Sequence, residues 1–168
     1  MVVLDTKIFV FKFNDMSLVE AIVTCENKRG IVALNTGETN NEVLATPAPE
    51  LGHVRLALYL KNKNHIIKAH ENSLAAMTLI PDGRLIATAS EKGTLIRLIN
   101  TDSGHPLAEF RRGSSKADIT CIVFENQLKF LAVASTSSTV HVFVIDKEIH
   151  EQLGTAQGKG YQEESKVE

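Results

Sequence analysis

Two adjacent arginines, Arg111 and Arg112, are the residues whose type and spacing most clearly suggest chemistry. They follow the apolar strand segment Leu107–Phe110 and precede Gly113. Because successive side chains of a β-strand point to opposite faces, the two guanidinium groups should serve two different places. A guanidinium can donate a pair of parallel hydrogen bonds to a phosphate. The pair therefore predicts two small anion sites, one on each side of the strand.

Hydroxyl and imidazole side chains occur in register on both sides of the arginine pair. Each side offers a serine, a threonine and a histidine: Ser90, Thr94 and His70 before the pair, and Ser135, Thr139 and His141 after it. These side chains are typical of a small anion pocket. Because the same types occur on both sides of the arginine pair, they favour two similar pockets. The alternative interpretation is a solvated pair of charges beside ordinary strand hydroxyls.

Motifs that would indicate an enzyme are absent from the sequence. It contains no GxSxG, no HExxH, no P-loop and no GxGxxG after a strand. The six histidines show no metal-ligand spacing, and the carboxylates are scattered. We therefore expect no catalytic residues, no metal and no cofactor.

Composition and charge exclude several other classes. The 168 residues carry 18 Lys+Arg against 20 Asp+Glu, a net charge of −2, which disfavours a general nucleic-acid binder. There is no apolar run of 18 residues, so we expect no transmembrane segment. Cys25 and Cys121 form no CxxC pair, and we expect them to be small core residues of a protein in a reducing compartment, the cytoplasm.

Short strand signals recur along the chain at intervals of roughly 8–12 residues, which predicts an all-β fold. The run Val2–Phe13 is the first, and Val140–Ile145 is the last. Turn residues separate the runs, for example Pro81–Asp82–Gly83 and Asp102–Ser103–Gly104. No segment keeps a helical apolar period for more than a few turns.

An internal repeat selects one all-β architecture. Residues 73–101 align without a gap on residues 118–146 at a shift of 45, and a weaker copy precedes them at a shift of 42. A period of this length with about four strands is typical of a β-propeller blade. We predict a partial β-propeller of WD-repeat type over residues 1–145, with about three to four blades. The polar segment 146–168 is predicted to be a solvated or disordered tail.

The segments AHENSLAAMTLIPDGRLIATASEKGTLIRL, FRRG, ADITCIVF and STSSTVHVF resemble the PROPPIN family, the WIPI proteins of animals. The resemblance covers about Met1 to Ile145 and implies part of a seven-bladed propeller, its central blades. It implies an adaptor of autophagosome formation that binds phosphatidylinositol 3-phosphate and phosphatidylinositol 3,5-bisphosphate. It also implies autophagy proteins as partners and peripheral recruitment from the cytoplasm to phagophore, autophagosome and endosomal membranes.

By position, the resemblance implies two headgroup pockets. The first consists of His70, Thr88, Ser90, Gly93, Thr94, Arg97 and Arg111, and the second of Arg112, Gly113, Ser135, Ser137, Thr139 and His141. For Arg97 the alternative is a bond to strand backbone or to an acidic neighbour. The two glycines are expected to provide turn geometry. Protonated histidines should strengthen binding at mildly acidic pH.

Family features that the sequence does not match lead to two alternatives. The family's remaining blades and its long membrane-inserting apolar loop are not recognisable, so we expect weaker attachment to membranes. One alternative function is a propeller scaffold for protein–protein interactions. The other is a truncated isoform or fragment with impaired lipid binding.

Overall fold

The computed structural model describes residues 1–35 and 41–154. Their strands form four antiparallel sheets, here called blades 1 to 4 in chain order. Blade 1 contains β1 (Val2–Val3), β2 (Lys7–Phe11) and β3 (Leu18–Val23). Blade 2 contains β4 (Ala33–Leu34), β5 (Val43–Pro47), β6 (His53–Leu58) and β7 (Lys63–Lys68). Blade 3 contains β8 (Leu74–Leu79), β9 (Leu85–Ser90), β10 (Leu95–Asn100) and β11 (Pro106–Arg111). Blade 4 contains β12 (Ile119–Phe124), β13 (Phe130–Ser135) and β14 (Val140–Val144).

Neighbouring strands in each blade follow one another in the chain, so every blade is a meander. The predicted repeat appears directly in the strand positions: β8, β9 and β10 begin at 74, 85 and 95, and β12, β13 and β14 begin at 119, 130 and 140. Each pair differs by 45 residues. The prediction of an all-β fold built from repeated blades is therefore confirmed.

The hydrophobic core lies between the blades, with one apolar cluster at each junction. Strand β9 shows how one strand serves two junctions, because its side chains alternate. Leu85 and Ala87 pack in the cluster shared with blade 4, whereas Ile86 packs in the cluster shared with blade 2. Each fully buried Leu or Ile contributes about 1.5–3 kcal/mol to folding. A blade therefore depends on its neighbours for stability, as the repeat pattern predicts.

Three local elements differ from the sequence-based expectation. The run Val2–Phe13 is divided between β1 and β2 by a turn, in which Leu4 N donates to Lys7 O at 2.8 Å. Strand β7 was not anticipated, since its sequence KNHIIK is the polar outer strand of blade 2. Cys121 is exposed rather than a core residue, and Cys25 is only partly buried.

A short helix, α1 (Lys147–Gln152), follows blade 4. Ile149 and Leu153 are buried in the cluster between blades 3 and 4, and Arg84 donates to the main-chain oxygens of Leu153 and Gly154. In this segment the structure differs from the expectation of a solvated tail beginning at Asp146, because two apolar side chains at helical spacing reach the core. Residues 155–168 lie outside the described residues, and the domain boundary at residue 145 stays a prediction.

Candidate functional site

The two adjacent arginines have different surroundings. Strand β11 ends at Arg111, which is exposed and pairs with Leu95 across the sheet. The Arg112 side chain is turned inward, and the residue is only 8% exposed. Its Nε donates to the main-chain oxygen of Gly93 at 2.8 Å, and its Nη2 donates to that of Ser115 at 2.5 Å. Strand alternation thus separates the two guanidinium groups, but it directs Arg112 to main-chain oxygens of the protein itself.

Arg111 differs from the other arginines of the described residues in having no protein partner. The other five donate to Asp118 (Arg29), Glu20 (Arg55), Asp82 (Arg84), Glu109 (Arg97) and Gly93 O (Arg112). An exposed guanidinium without a partner keeps both edges of its planar fork available to an oxyanion.

The first group of candidate residues lies at the junction of blades 2 and 3. Thr88 on β9 pairs with Arg97 on β10, which pairs with Glu109 on β11, so the three side chains share the face that is turned toward blade 2. His70, just after β7, reaches this face from blade 2, and its Nε2 and Thr88 Oγ1 share a hydrogen bond of 3.0 Å. His70 is 4% exposed and Thr88 is fully buried.

Arg97 makes both kinds of bond that its alternative interpretation predicts, one to an acidic neighbour and one to the main chain. Its Nε donates to Glu109 Oε2 at 2.8 Å, and its Nη1 donates to the main-chain oxygen of Ala69. The guanidinium therefore holds β10 to the outer strand of its own blade and to the end of blade 2. Arg111 lies two residues beyond Glu109 on β11 and so on the same face.

His70 does not support the expected gain of charge at mildly acidic pH. Burial lowers the pKa of this imidazole from the usual 6.5 to about 4, and the positive charge of Arg97 acts in the same direction. His70 is consequently neutral over the mildly acidic range. The expectation is wrong for this histidine.

Ser90 and Thr94 flank the tight turn between β9 and β10 and are 6% and 5% exposed. Gly93 N donates to Ser90 O at 2.8 Å, and the main-chain oxygen of Thr94 accepts from Arg112 N at 2.9 Å. Gly93 has φ +66°, and a Cβ here would lie 1.8 Å from the main-chain oxygen of Ala117. Its expected role in turn geometry is therefore supported by a close approach of two chain segments.

Gly113 is different from Gly93. It is not among the residues with positive φ, and a Cβ at this position would meet no atom within 4 Å. Turn geometry does not require a glycine here, so this part of the expectation is wrong. A glycine leaves open space next to the arginine pair.

The second group forms a continuous ladder on blade 4. Ser135 Oγ and Ser137 Oγ are 2.7 Å apart, Ser137 Oγ and Thr139 Oγ1 are 3.0 Å apart, and Thr139 Oγ1 and His141 Nε2 are 3.2 Å apart. These side chains, here called the hydroxyl ladder, lie at the turn between β13 and β14 and are largely solvent-accessible. Within the described residues, the ladder makes no hydrogen bond to Arg112, although both lie on the blade 4 side of β11.

An aromatic contact connects the arginine strand to the ladder. The rings of Phe110 and Phe143 stack with centroids 4.9 Å apart, and the His141 ring lies 6.3 Å from Phe143 in a parallel arrangement. Phe110 immediately precedes the arginine pair, so this stack holds β11 next to β14. Two members of the site, Phe143 and Glu109, are not among the residues expected from the sequence. Glu109 could have been found from its position two residues before Arg111 in a strand.

Two further features are absent from residues 1–35 and 41–154. No group of three or more His, Cys, Asp or Glu side chains is placed to hold a metal ion there. In the same residues, no helix is long and apolar enough to span a membrane.

Comparison with known proteins gives a family match over residues 1–158, to the model described as PROPPIN. The match extends beyond Ile145, the expected end of the family resemblance. Autophagy-related protein 18e of Arabidopsis thaliana is 40% identical over 148 residues, which cover 88% of this chain and 39% of that protein. Autophagy-related protein 18 of Dictyostelium discoideum is 36% identical, with 86% and 39% covered. The chain thus spans about two fifths of the length of these relatives.

Solved structures agree with this assignment. Kluyveromyces lactis Hsv2 with complete loop 6CD superposes with a TM-score of 0.72 at 28% identity, covering 86% of this chain and 45% of that one. KlAtg21, in its complex with the coiled-coil of AgAtg16, superposes with a TM-score of 0.70 at 30% identity, covering 85% and 48%. The four blades are therefore part of a propeller of this type, and the chain belongs to the PROPPIN family.

Proposed function

We propose that this chain is a phosphoinositide-binding adaptor module of autophagosome formation rather than an enzyme. Its ligands are phosphatidylinositol 3-phosphate and phosphatidylinositol 3,5-bisphosphate. The module acts from the cytoplasm by peripheral recruitment to phagophore, autophagosome and endosomal membranes. The autophagy-related names of its relatives support the pathway, and the pockets described next support the ligand class.

The observation that carries the proposal is the unpartnered, exposed guanidinium of Arg111. Among the described residues it is the arginine free to bind an oxyanion, and it shares a sheet face with Thr88 and Arg97. A headgroup phosphate binds to Arg111 in the first pocket, while Ser90 and Thr94 line the adjoining turn. His70 acts there as a neutral hydrogen-bonding group.

The second pocket uses the hydroxyl ladder of blade 4. Four groups that can donate hydrogen bonds, Ser135, Ser137, Thr139 and His141, are spaced about 3 Å apart and accessible to solvent. Arg112 stands between this ladder and the first pocket. Its Nε and Nη2 hold the main chain, and Nη1 remains for a phosphate oxygen. Gly113 leaves room for the headgroup.

Liposome flotation tests the proposal. Wild-type chain should float with liposomes containing either 3-phosphorylated lipid and not with liposomes of phosphatidylcholine alone. The double variant Arg111→Ala, Arg112→Ala should lose this binding. Because Arg112 also has a structural role, its loss could disturb the fold. A second double variant, Arg111→Ala with His141→Ala, keeps the bonds of Arg112 to the main chain and should lose binding as well. Lys12→Ala, which removes an exposed positive charge from blade 1, is the matched control. Equal flotation of the wild type and both double variants would overturn the proposal.

A docking platform for autophagy proteins is a second candidate function, compatible with the first. It is favoured by the superposition on KlAtg21, whose structure was solved in complex with the coiled-coil of AgAtg16. Pull-down with a coiled-coil of that kind tests it. Capture of the coiled-coil without any flotation on 3-phosphorylated liposomes would favour the scaffold function alone.

A further inference from the structure

Glu109 is an acidic side chain inside an otherwise basic part of the first pocket. Its Oε2 accepts from Arg97 Nε at 2.8 Å, and it lies two residues before Arg111 on the same face of β11. The Glu109 side chain is 47% exposed, so a ligand bound at Arg111 can reach its carboxylate. The Cα atoms of residues two apart in a strand are about 6.6–6.8 Å apart, which is less than the screening length of about 8–10 Å at physiological ionic strength.

Most of the cations near Arg111 on this face are bonded to other protein groups. Arg97 is bonded to Glu109 Oε2 and to Ala69 O, and Lys68 pairs with Glu71 at 2.8 Å. His70 is buried against Thr88 and uncharged near neutral pH. Arg111 therefore provides an unpaired positive charge on this face for one phosphate group.

A groove beside Glu109 extends the pocket away from Arg111. It has a volume of about 450 Å³ between β7 and β11, and its charged lining residues are Lys68 on the blade 2 side and Arg97 and Glu109 on the blade 3 side. The rest of that side is mainly apolar, including Ile99 and Leu107. An inositol ring held at Arg111 that projects toward the groove must pass the Glu109 carboxylate. Ring hydroxyls can donate to this carboxylate, whereas a second phosphate there meets a like charge in a partly desolvated site.

We propose that Glu109 is a specificity-determining residue that makes the first pocket select a singly phosphorylated inositol headgroup over a doubly phosphorylated one. The inference rests on the proposed lipid function and assigns different preferences to its two pockets. The hydroxyl ladder contains no carboxylate, so the second pocket accepts the bisphosphate. Specificity in the first pocket arises from repulsion of the wrong ligand as well as attraction of the right one.

Calorimetric titration of the full chain with two water-soluble, short-chain lipids tests the inference. The lipids are dibutanoyl phosphatidylinositol 3-phosphate and dibutanoyl phosphatidylinositol 3,5-bisphosphate, which remove membrane avidity from the measurement. Ser137→Ala with His141→Ala is the background that isolates the first pocket. In this background the monophosphate should bind about tenfold more tightly than the bisphosphate. Adding Glu109→Gln should bring the ratio of the two dissociation constants close to one, mainly because the bisphosphate binds more tightly.

Glu20→Gln is the matched control. Glu20, on β3 of blade 1, accepts from Arg55, which corresponds to Arg97 in the repeat, and from the Tyr59 hydroxyl, and it lies outside the blade that carries Arg111. This variant should leave the ratio unchanged. Glu109→Asp, which keeps the charge, should retain a preference for the monophosphate. An unchanged ratio in Glu109→Gln, with binding intact, would overturn the inference alone. Absence of binding by the wild-type chain to both lipids would overturn the proposed function and this inference with it.

Discussion

Arg112 Nε donates to the main-chain oxygen of Gly93 at 2.8 Å, and the exposed side chain of Arg111, one residue earlier, has no partner among the described residues. The contact of Arg112 holds the β9–β10 turn against the residue that follows β11. The side chain of Arg111 remains free on the surface. In the proposed function Arg112 therefore combines a structural role with a contact in the second pocket, whereas Arg111 only binds ligand.

This difference predicts that two single variants will differ in their free energy of unfolding. Arg111→Ala should change the free energy of unfolding by less than about 0.5 kcal/mol, because it removes an exposed charge without a partner. Arg112→Ala should lower it by about 1–3 kcal/mol, because two main-chain oxygens lose a charged donor. Urea titration followed by circular dichroism measures both. Equal destabilisation by the two variants would contradict the assignment of separate roles.

Gly93 and Gly113 should respond differently to the addition of one methyl group. Gly93→Ala forces a residue with φ +66° and a Cβ–oxygen distance of 1.8 Å to relax, at a cost of about 1–3 kcal/mol. Gly113→Ala meets no atom within 4 Å and should leave the melting temperature unchanged. Thermal melts of the two variants provide the comparison. A large loss of stability in Gly113→Ala would show that its surroundings differ from those described.

His70 should make the wild-type chain less stable as the pH falls. Its pKa is about 4 in the folded protein, below the usual 6.5, so the unfolded chain binds the proton first. The stability contribution is therefore complete above about pH 6.5 and is lost progressively as the pH falls toward 4. The full loss would be up to about 3 kcal/mol.

Stability curves of wild type and His70→Gln from pH 7.5 to 4.5 test this prediction. The variant should lose less stability than the wild type, and the difference between the curves removes the contribution of carboxylates common to both. Lipid binding by the first pocket should not increase over this range through His70. Parallel curves would mean that His70 is protonated in the folded chain at its ordinary pH.

The Phe110–Phe143 stack should couple stability to the second pocket. Phe110→Ala removes a partly buried ring from the cluster between blades 3 and 4 and should cost about 2–4 kcal/mol. It should also weaken bisphosphate binding at the hydroxyl ladder, since His141 lies against Phe143. Phe110→Leu, which keeps much of the apolar volume, is the control and should have a smaller effect on both. Unchanged stability in Phe110→Ala would contradict the packing of this junction.

The repeating part of the fold could be predicted from the sequence because blade strands alternate and recur at fixed spacing. The shift of 45 residues places β8 on β12 and β9 on β13 without an offset. Strand β7 and helix α1 could not be predicted in this way. The first is a polar outer strand, and the second has one buried apolar residue, Ile149, with Leu153 buried just after its end. Both are stabilised by the neighbouring blade rather than by a strong local pattern.

The candidate site shows the limit of a sequence pattern more sharply. The alternation of a strand predicted that Arg111 and Arg112 would have different surroundings, but a donor's partner depends on the loops that fold next to it. Arg112 bonds to the β9–β10 turn and to Ser115, and Arg97 bonds to Glu109 and to Ala69. Main-chain acceptors leave no signature in side-chain types, so sequence spacing cannot identify them. The headgroup assignment of these residues stays a prediction.

The central claim is that two separate pockets, one on each side of the arginine pair, each bind a headgroup. Calorimetric titration with dibutanoyl phosphatidylinositol 3-phosphate counts them directly. Two molecules should bind per wild-type chain and one per chain of the Arg111→Ala variant, with unchanged thermal stability. Two molecules still bound by Arg111→Ala with wild-type affinity, or a single molecule bound by the wild type, would contradict it.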